Sequence, residues 1–273
     1  MWSFRPALRS SISVLFCAAV IPAAAQDCAE YLDRARKAFD SKQFSEAVAE
    51  LETAAGRCPT QARVHLALGQ GQYLVGRHEE AEKSLQAALA LEPNHEEALY
   101  ALGRIYSMQN RFPEAVEKLE AVTRLNPKSY KAWDNLGVCY DSMHRDADAL
   151  RSFFKALDLV VKDHPEYDWA HANLADFFLR RNEYTKAFQL AAEAAGRNPQ
   201  SARNAFLTAK ALVRLEKHDL SLRWLERAVQ LDPDYSEALY LLSQAYRKLG
   251  RADDADKTLA RFQEAAKKRP TLR

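Results

Sequence analysis

Histidine, cysteine and clustered carboxylates are the side chains with which a protein most readily binds metals or catalyses reactions. The seven histidines, His65, His78, His95, His144, His164, His171 and His218, are spread singly along the 273 residues. None forms a His-Glu-x-x-His pair, in which two imidazoles four residues apart share one helix face and one metal. His78-Glu79-Glu80 and His95-Glu96-Glu97 come nearest. Each reads better as a helix start, where carboxylates favour the positive end of the backbone dipole. The sequence has no glycine-rich phosphate loop, no Gly-x-Ser-x-Gly elbow and no Cys-x-x-Cys. The expected catalytic, cofactor-binding and metal-binding sets are therefore none, and the chain is expected not to be an enzyme.

The elements that would have to position such residues begin with a leader. Arg5 and Arg9 form a positive start, Ile12 to Ile21 is apolar, and Ala23-Ala24-Ala25 supplies the small residues a signal peptidase needs before Gln26. The apolar stretch is shorter than the roughly 20 residues a membrane-crossing helix requires. Residues 1–25 are accordingly read as a cleaved signal peptide, with an uncleaved anchor as the alternative. Neither Cys17 nor Cys28 follows the small residues of a lipid-attachment site. The expected location is periplasmic or secreted. The chain carries 39 Lys+Arg and 37 Asp+Glu, and loss of the two leader arginines leaves the charge balanced. Nucleic acid, which rewards a basic excess, is an unfavourable partner.

From there the sequence is periodic. Pro59, Pro93 and Pro127 stand 34 residues apart, as do Pro165, Pro199 and Pro233, with a gap of 38 between Pro127 and Pro165. Apolar residues recur at i, i+3, i+4 and i+7, the pattern of amphipathic helices, and no strand alternation occurs. Each proline stops a helix, because it lacks an N–H and disfavours helix in the residue before it. The longer gap, around Val160 to Pro165, is read as an extra helical turn.

The fullest repeat reads Trp133-x-x-Leu136-Gly137-x-x-Tyr140 followed by Ala149-x-x-x-Phe153; Leu102-Gly103-x-x-Tyr106 with Ala115, and Leu68-Gly69 with Ala81, are variants of it. With its 34-residue period this resembles the tetratricopeptide repeat (TPR) family. The resemblance covers residues 26–273 as seven units, at about 28–61, 62–95, 96–129, 130–167, 168–201, 202–235 and 236–269. It implies an all-α fold, a right-handed α-solenoid of helix–turn–helix repeats, in which each hairpin buries its face against its neighbours. Small residues (Gly69, Gly103, Gly137, Ala175) let the two helices of a hairpin approach closely.

In that frame Cys28 opens the first helix of unit one and Cys58 follows the end of its second, so the two are expected to form a disulfide, with two free thiols as the alternative. Cys139 is read as a small buried hydrophobe. The resemblance further implies a concave groove for an extended, acidic partner segment. Its candidate residues are Tyr100, Arg104, Lys131, Asn135, Trp169, Asn173, Arg180, Arg203, Phe206 and Lys210. The same mapping adds Arg36, Arg63, Arg214, Arg247 and Lys248, against the acids Asp40, Glu97, Asp134, Asp141, Asp176 and Glu237. Asn135 and Asn173 are expected to hold a peptide backbone through their amides. No unit has Lys at position 5 with Asn at position 9, so the chaperone-tail clamp of some TPR proteins is not expected. The alternative function is self-association through the last unit, where Ala255, Leu259 and Phe262 end the array.

Overall fold

The computed structural model describes residues 23–268, which form fourteen helices and, among those residues, no strand. The leader expected at residues 1–25 lies outside them except for Ala23–Ala25, which open the first helix. Two compact units are present, one ending at Leu91 and one starting at Glu92. The first holds α1 (Ala23–Asp40), α2 (Phe44–Arg57), α3 (Ala62–Leu74) and α4 (His78–Leu91). The second holds α5 (Glu96–Met108), α6 (Phe112–Leu125), α7 (Tyr130–Ser142), α8 (Asp146–Asp163) and α9 (Trp169–Arg180). It continues through α10 (Tyr184–Arg197), α11 (Ala202–Arg214), α12 (His218–Leu231), α13 (Ser236–Lys248) and α14 (Ala252–Lys268). Consecutive helices pair as seven antiparallel hairpins, and within each unit the odd-numbered helices also touch one another.

One small residue per hairpin sets the approach of its helices. A Cβ built on Gly137 would lie 2.5 Å from ring carbons of Phe153, and one on Gly103 would lie 2.9 Å from Leu119 Cγ. On Gly69 it would lie 2.7 Å from Leu85 Cγ. Where the position is Ala175, the residue in the register of Phe153 shrinks to Ala191, and both are fully buried. The second helices contribute Ala47, Ala81, Ala115, Ala149 and Ala187, none of them exposed, while Leu102, Tyr106, Leu136, Tyr140 and Phe178 fill the space between helices.

The turn inside every hairpin repeats one hydrogen-bond pattern. Residues Lys42, Gly76, Asn110, His144, Asn182, Glu216 and Gly250 all have positive φ, between 57° and 81°. The next residue donates its N–H five residues back, from Gln43 to Ala38, Arg111 to Tyr106 and Arg145 to Tyr140, and likewise in the other four hairpins. This is the glycine-type helix stop, occupied five times out of seven by a residue with a side chain. The turn between hairpins uses proline: Cys58, Asn126, His164, Asn198 and Asp232 cap the preceding helix and the next residue is Pro.

The long repeat is built as expected, α8 having 18 residues where α6 and α10 have 14. The turn behind it is filled by rings. Tyr130 stacks on His164 at 4.1 Å and meets Tyr167 edge-on at 4.8 Å. At the far end, Ala255 is buried and Leu259 and Phe262 are only partly exposed, Phe262 lying 5.3 Å from the Tyr240 ring. The last hairpin thus uses much of that apolar face internally.

The close approach gives a paired test. Gly137→Ala should lose about 1–3 kcal/mol through overpacking against Phe153. Gly196→Ala, at a helical glycine with nothing within 4 Å, should gain up to about 1 kcal/mol from helix propensity. Urea unfolding of both variants checks this, and equal effects would contradict the close-packing account.

Candidate functional site

The ten candidates from Tyr100 to Lys210 lie in the second unit, on α5, α7, α9 and α11, whereas Arg36 and Arg63 lie on α1 and α3 of the first unit and Arg247 and Lys248 on α13. The faces of α5, α7, α9 and α11 carry cations over rings. Arg104 lies 5.9 Å from the Tyr100 ring, Arg203 5.0 Å from Trp169 and Lys210 5.9 Å from Phe206. Lys131 lies 5.8 Å from Tyr130, and Arg214 5.4 Å from Tyr184. Trp169 is 51% exposed at the start of its helix, an unusual placement for so large an apolar surface. Among the described residues Arg104, Lys131, Lys210 and Arg214 make no ion pair. A cation over a ring face keeps its N–H groups available to an incoming acceptor.

Other candidates are already engaged. Asn173 donates through Nδ2 to both Asp134 oxygens at 3.0 Å and accepts from Arg203 at 2.9 Å. Its amide therefore joins α7, α9 and α11 rather than standing open to a peptide backbone. Asn135 donates to the Lys131 carbonyl at 2.7 Å and to the Tyr100 hydroxyl at 3.3 Å, which leaves its amide oxygen for a ligand. Burial pushes the Tyr100 hydroxyl above its ordinary titration range. Arg180 binds Asp141 and Asp176. Arg181, at none of the groove positions of the repeat, binds Asp141 and Asp146 and stacks on Phe177 at 3.5 Å.

Two acids counted on the groove face are not open to a ligand there. Asp134 is 1% exposed, and Asp141 is buried under the two arginines. Asp141 and Asp176 also take Arg180 out of the free cations of the face. The residue that pulls Asp134 inward is Tyr167, whose hydroxyl donates to it at 2.8 Å. Tyr167 sits in the turn that follows the elongated α8, outside every position of the repeat pattern, so nothing periodic pointed to it. A second buried carboxylate, Asp168, accepts from Asn204 at 2.6 Å and Asn198 at 3.3 Å, and ties the start of α9 to α11.

The two cysteines expected to pair lie together: the Cys28 and Cys58 sulfurs meet, with Cα atoms 6.2 Å apart. Cys139 is fully buried, and burial raises its thiol pKa. The two His-Glu-Glu runs open α4 and α5, with Glu79, Glu80, Glu96 and Glu97 in the first turns. Among the described residues no three His, Cys, Asp or Glu side chains gather as a metal site, and no helix is long and apolar enough to cross a membrane.

Paired helices with small residues at their crossing, proline between pairs and a cation-bearing face define a helical-hairpin repeat protein. Models of the tetratricopeptide repeat match residues 32–96, 72–137 and 212–273, and the chain belongs to that family. It is an α-solenoid of TPR hairpins, a fold class built for protein–protein interaction and generally not for catalysis. No curated protein matches the chain. Among solved structures it is similar to a tetratricopeptide repeat protein from Parabacteroides merdae, at 16% identity over 88% of this chain and 93% of that one, with a TM-score of 0.70. Pseudomonas aeruginosa pilF is similar at 22% identity over 81% and 99% of the two chains, with a TM-score of 0.67. YrrB, described as a TPR protein with an unusual peptide-binding site, matches at 18% identity over 70% and 96%, with a TM-score of 0.51.

Two buried groups of α7 and α9 titrate in opposite senses, Asp134 next to the groove candidates and His171 against α8 and α10. Burial pushes Asp134 from 3.8 up to about 6, against the hydrogen bonds from Asn173 and Tyr167 and the charge of Arg203, with Asp168 adding to the rise. Between those values the folded chain holds a proton that the unfolded chain lacks, so acidification stabilises. Burial pushes His171 from 6.5 down to about 4, helped by Arg197 and opposed by Glu193 and Asp168, and its Nδ1 has no partner. There the unfolded chain binds the extra proton, so acidification destabilises. Between pH 7 and pH 4.5, Asp134→Asn should therefore lose stability more steeply than the parent, and His171→Gln less steeply. Melting temperatures across that range test both signs, and three parallel profiles would refute them.

Proposed function

We propose that the chain is an exported scaffold that holds an extended, acidic segment of a partner protein against the cation-bearing face of α5, α7, α9 and α11. The observation that carries this reading is the set of unpaired cations over rings on successive odd-numbered helices, with exposed Trp169 among them. Aromatic and arginine side chains are the usual anchors of protein interfaces. Asn135 is the residue of the face whose amide oxygen accepts from a ligand backbone. The peptide-binding site described for the similar YrrB structure agrees with this use of the fold.

Export rests on the leader at residues 1–25 and is supported by the cysteine pair, since disulfides persist in oxidising compartments. In this reading the leader is removed after Ala25 and the Cys28–Cys58 bond closes a span of 30 residues in the first hairpin. A loop of that length contributes about 3–4 kcal/mol on the chain-entropy model.

Two measurements test the proposal. Expressed with its leader in a bacterium, the protein should be recovered from the periplasm starting at Gln26, and unfolding without reductant should expose Cys139 alone to a thiol reagent. Three reactive cysteines would remove the disulfide, and retention in the cytoplasm would remove export. Crosslinking in that compartment should capture a partner that Trp169→Ala with Lys131→Ala captures at least tenfold less, a loss of about 1.4 kcal/mol or more. Undiminished capture by the double variant would place the partner elsewhere on the protein.

A further inference from the structure

The odd-numbered helices α9, α11 and α13 line an open cleft of about 830 Å³ that begins at the groove candidates Arg180, Phe206 and Lys210 and runs on to α13. That volume is in the range of pockets that swallow whole side chains. Its floor is apolar: Phe206 and Val213 from α11, Tyr240 and Leu241 from α13, and Phe262 from α14. Tyr240 is 46% exposed although its ring meets Phe262, so one aromatic face is uncovered.

Lys210 and Arg214 line the same cleft. They stand four residues apart on α11, where like charges repel, and neither has a carboxylate partner among the described residues. Their charged groups rest over the Phe206 and Tyr184 rings, which hold them in place without using their N–H donors. The third cation of the lining, Arg180, is neutralised by Asp141 and Asp176, so it does not compete for an anion. Glu237, the acid of the lining, sits on α13, and the cleft keeps a surplus of positive charge. A purely apolar ligand would leave both cations unpaired, and a purely acidic one would leave the aromatic floor wet.

We infer that this cleft is a specificity subsite for a protein segment in which an aromatic or large aliphatic side chain stands beside carboxylates. The apolar side chain packs on Phe206, Tyr240 and Phe262, and the carboxylates take hydrogen bonds from Lys210 and Arg214. The inference rests on the groove reading and deepens it, assigning to this cleft the side chains the partner segment must carry.

Fluorescence anisotropy of the full chain with three labelled octapeptides tests it. The probes are Ser-Asp-Glu-Phe-Asp-Glu-Gly-Ser, its amide counterpart with Asn and Gln, and the acidic peptide with Phe replaced by Ala. The first should bind at least tenfold more tightly than either of the others. Lys210→Glu with Arg214→Glu should abolish that binding and transfer it to a peptide with Lys at the acidic positions, a swap that a misfolded variant cannot produce. Equal binding of the three probes, or no swap, would overturn the subsite. A concentration-dependent dimer, dispersed by the same charge reversal in light scattering, would overturn it too and assign the cleft to a second copy. Crosslinking separates the two levels. Partner capture lost with Trp169→Ala and Lys131→Ala but kept with the charge reversal refutes the subsite and leaves the groove. Capture indifferent to both refutes the groove.

Discussion

The rest of the structure depends on how closely two helices of a hairpin can approach. A side chain at Gly137 would overlap the Phe153 ring, and Gly103 and Gly69 are constrained in the same way by Leu119 and Leu85. Closeness lets one layer of leucine, phenylalanine and alanine fill the hairpin, and the odd-numbered helices meet one another on a face joined by polar side chains. That face is where tyrosine, tryptophan, lysine and arginine accumulate.

The second constraint is the joint after α8. An added helical turn shifts the following hairpin along the chain, and a repeat array tolerates that only if something fixes the new register. Here the fixing group is a buried carboxylate. Asp134 of α7 receives Tyr167 from the joint and Asn173 from α9, and Asn173 in turn receives Arg203 from α11. The arrangement ties three odd-numbered helices, and it holds the Arg203 guanidinium over Trp169 at 5.0 Å. A buried charge is costly unless its acceptor sites are filled, so such a network has one favourable arrangement instead of several similar ones. In the proposed reading, that face is set before any partner arrives, which lowers the entropy cost of binding.

Much of this was legible in the sequence because it is periodic. Proline spacing marked every boundary between hairpins, and the alanines of the even-numbered helices are buried at the positions their spacing implied. The additional turn of α8 was legible as four extra residues. What was not legible is what departs from the period. The stops inside the hairpins use Lys42, Asn110, His144, Asn182 and Glu216 at positive φ, where only Gly76 and Gly250 announce themselves by residue type. Asn173 and Asp134 occupy groove positions of the repeat, but a tyrosine from the irregular joint turns them inward. Position in a repeat gives the face of a helix, whereas the partner of a side chain comes from the neighbour that happens to reach it.

The spacing of the helices bounds the segment the groove can hold. Packed helices lie about 8–10 Å apart, so the three steps from α7 to α13 span roughly 27 Å. An extended chain rises about 3.3 Å per residue, so about eight residues cover that distance, one anchor every two or three. Lys131 and Asn135 of α7 open this span, Trp169 of α9 and Arg203 of α11 follow, and the cleft at Phe206, Lys210, Arg214 and Tyr240 closes it. Alternation along an extended chain points every second residue at the protein, which matches that anchor spacing. Affinity then comes from a few deep contacts, while the cations resting on rings make it fall with salt through the carboxylates they attract. On the function proposed above, such a scaffold selects its partner by the order of apolar and acidic residues along a short stretch, without requiring that stretch to be folded beforehand.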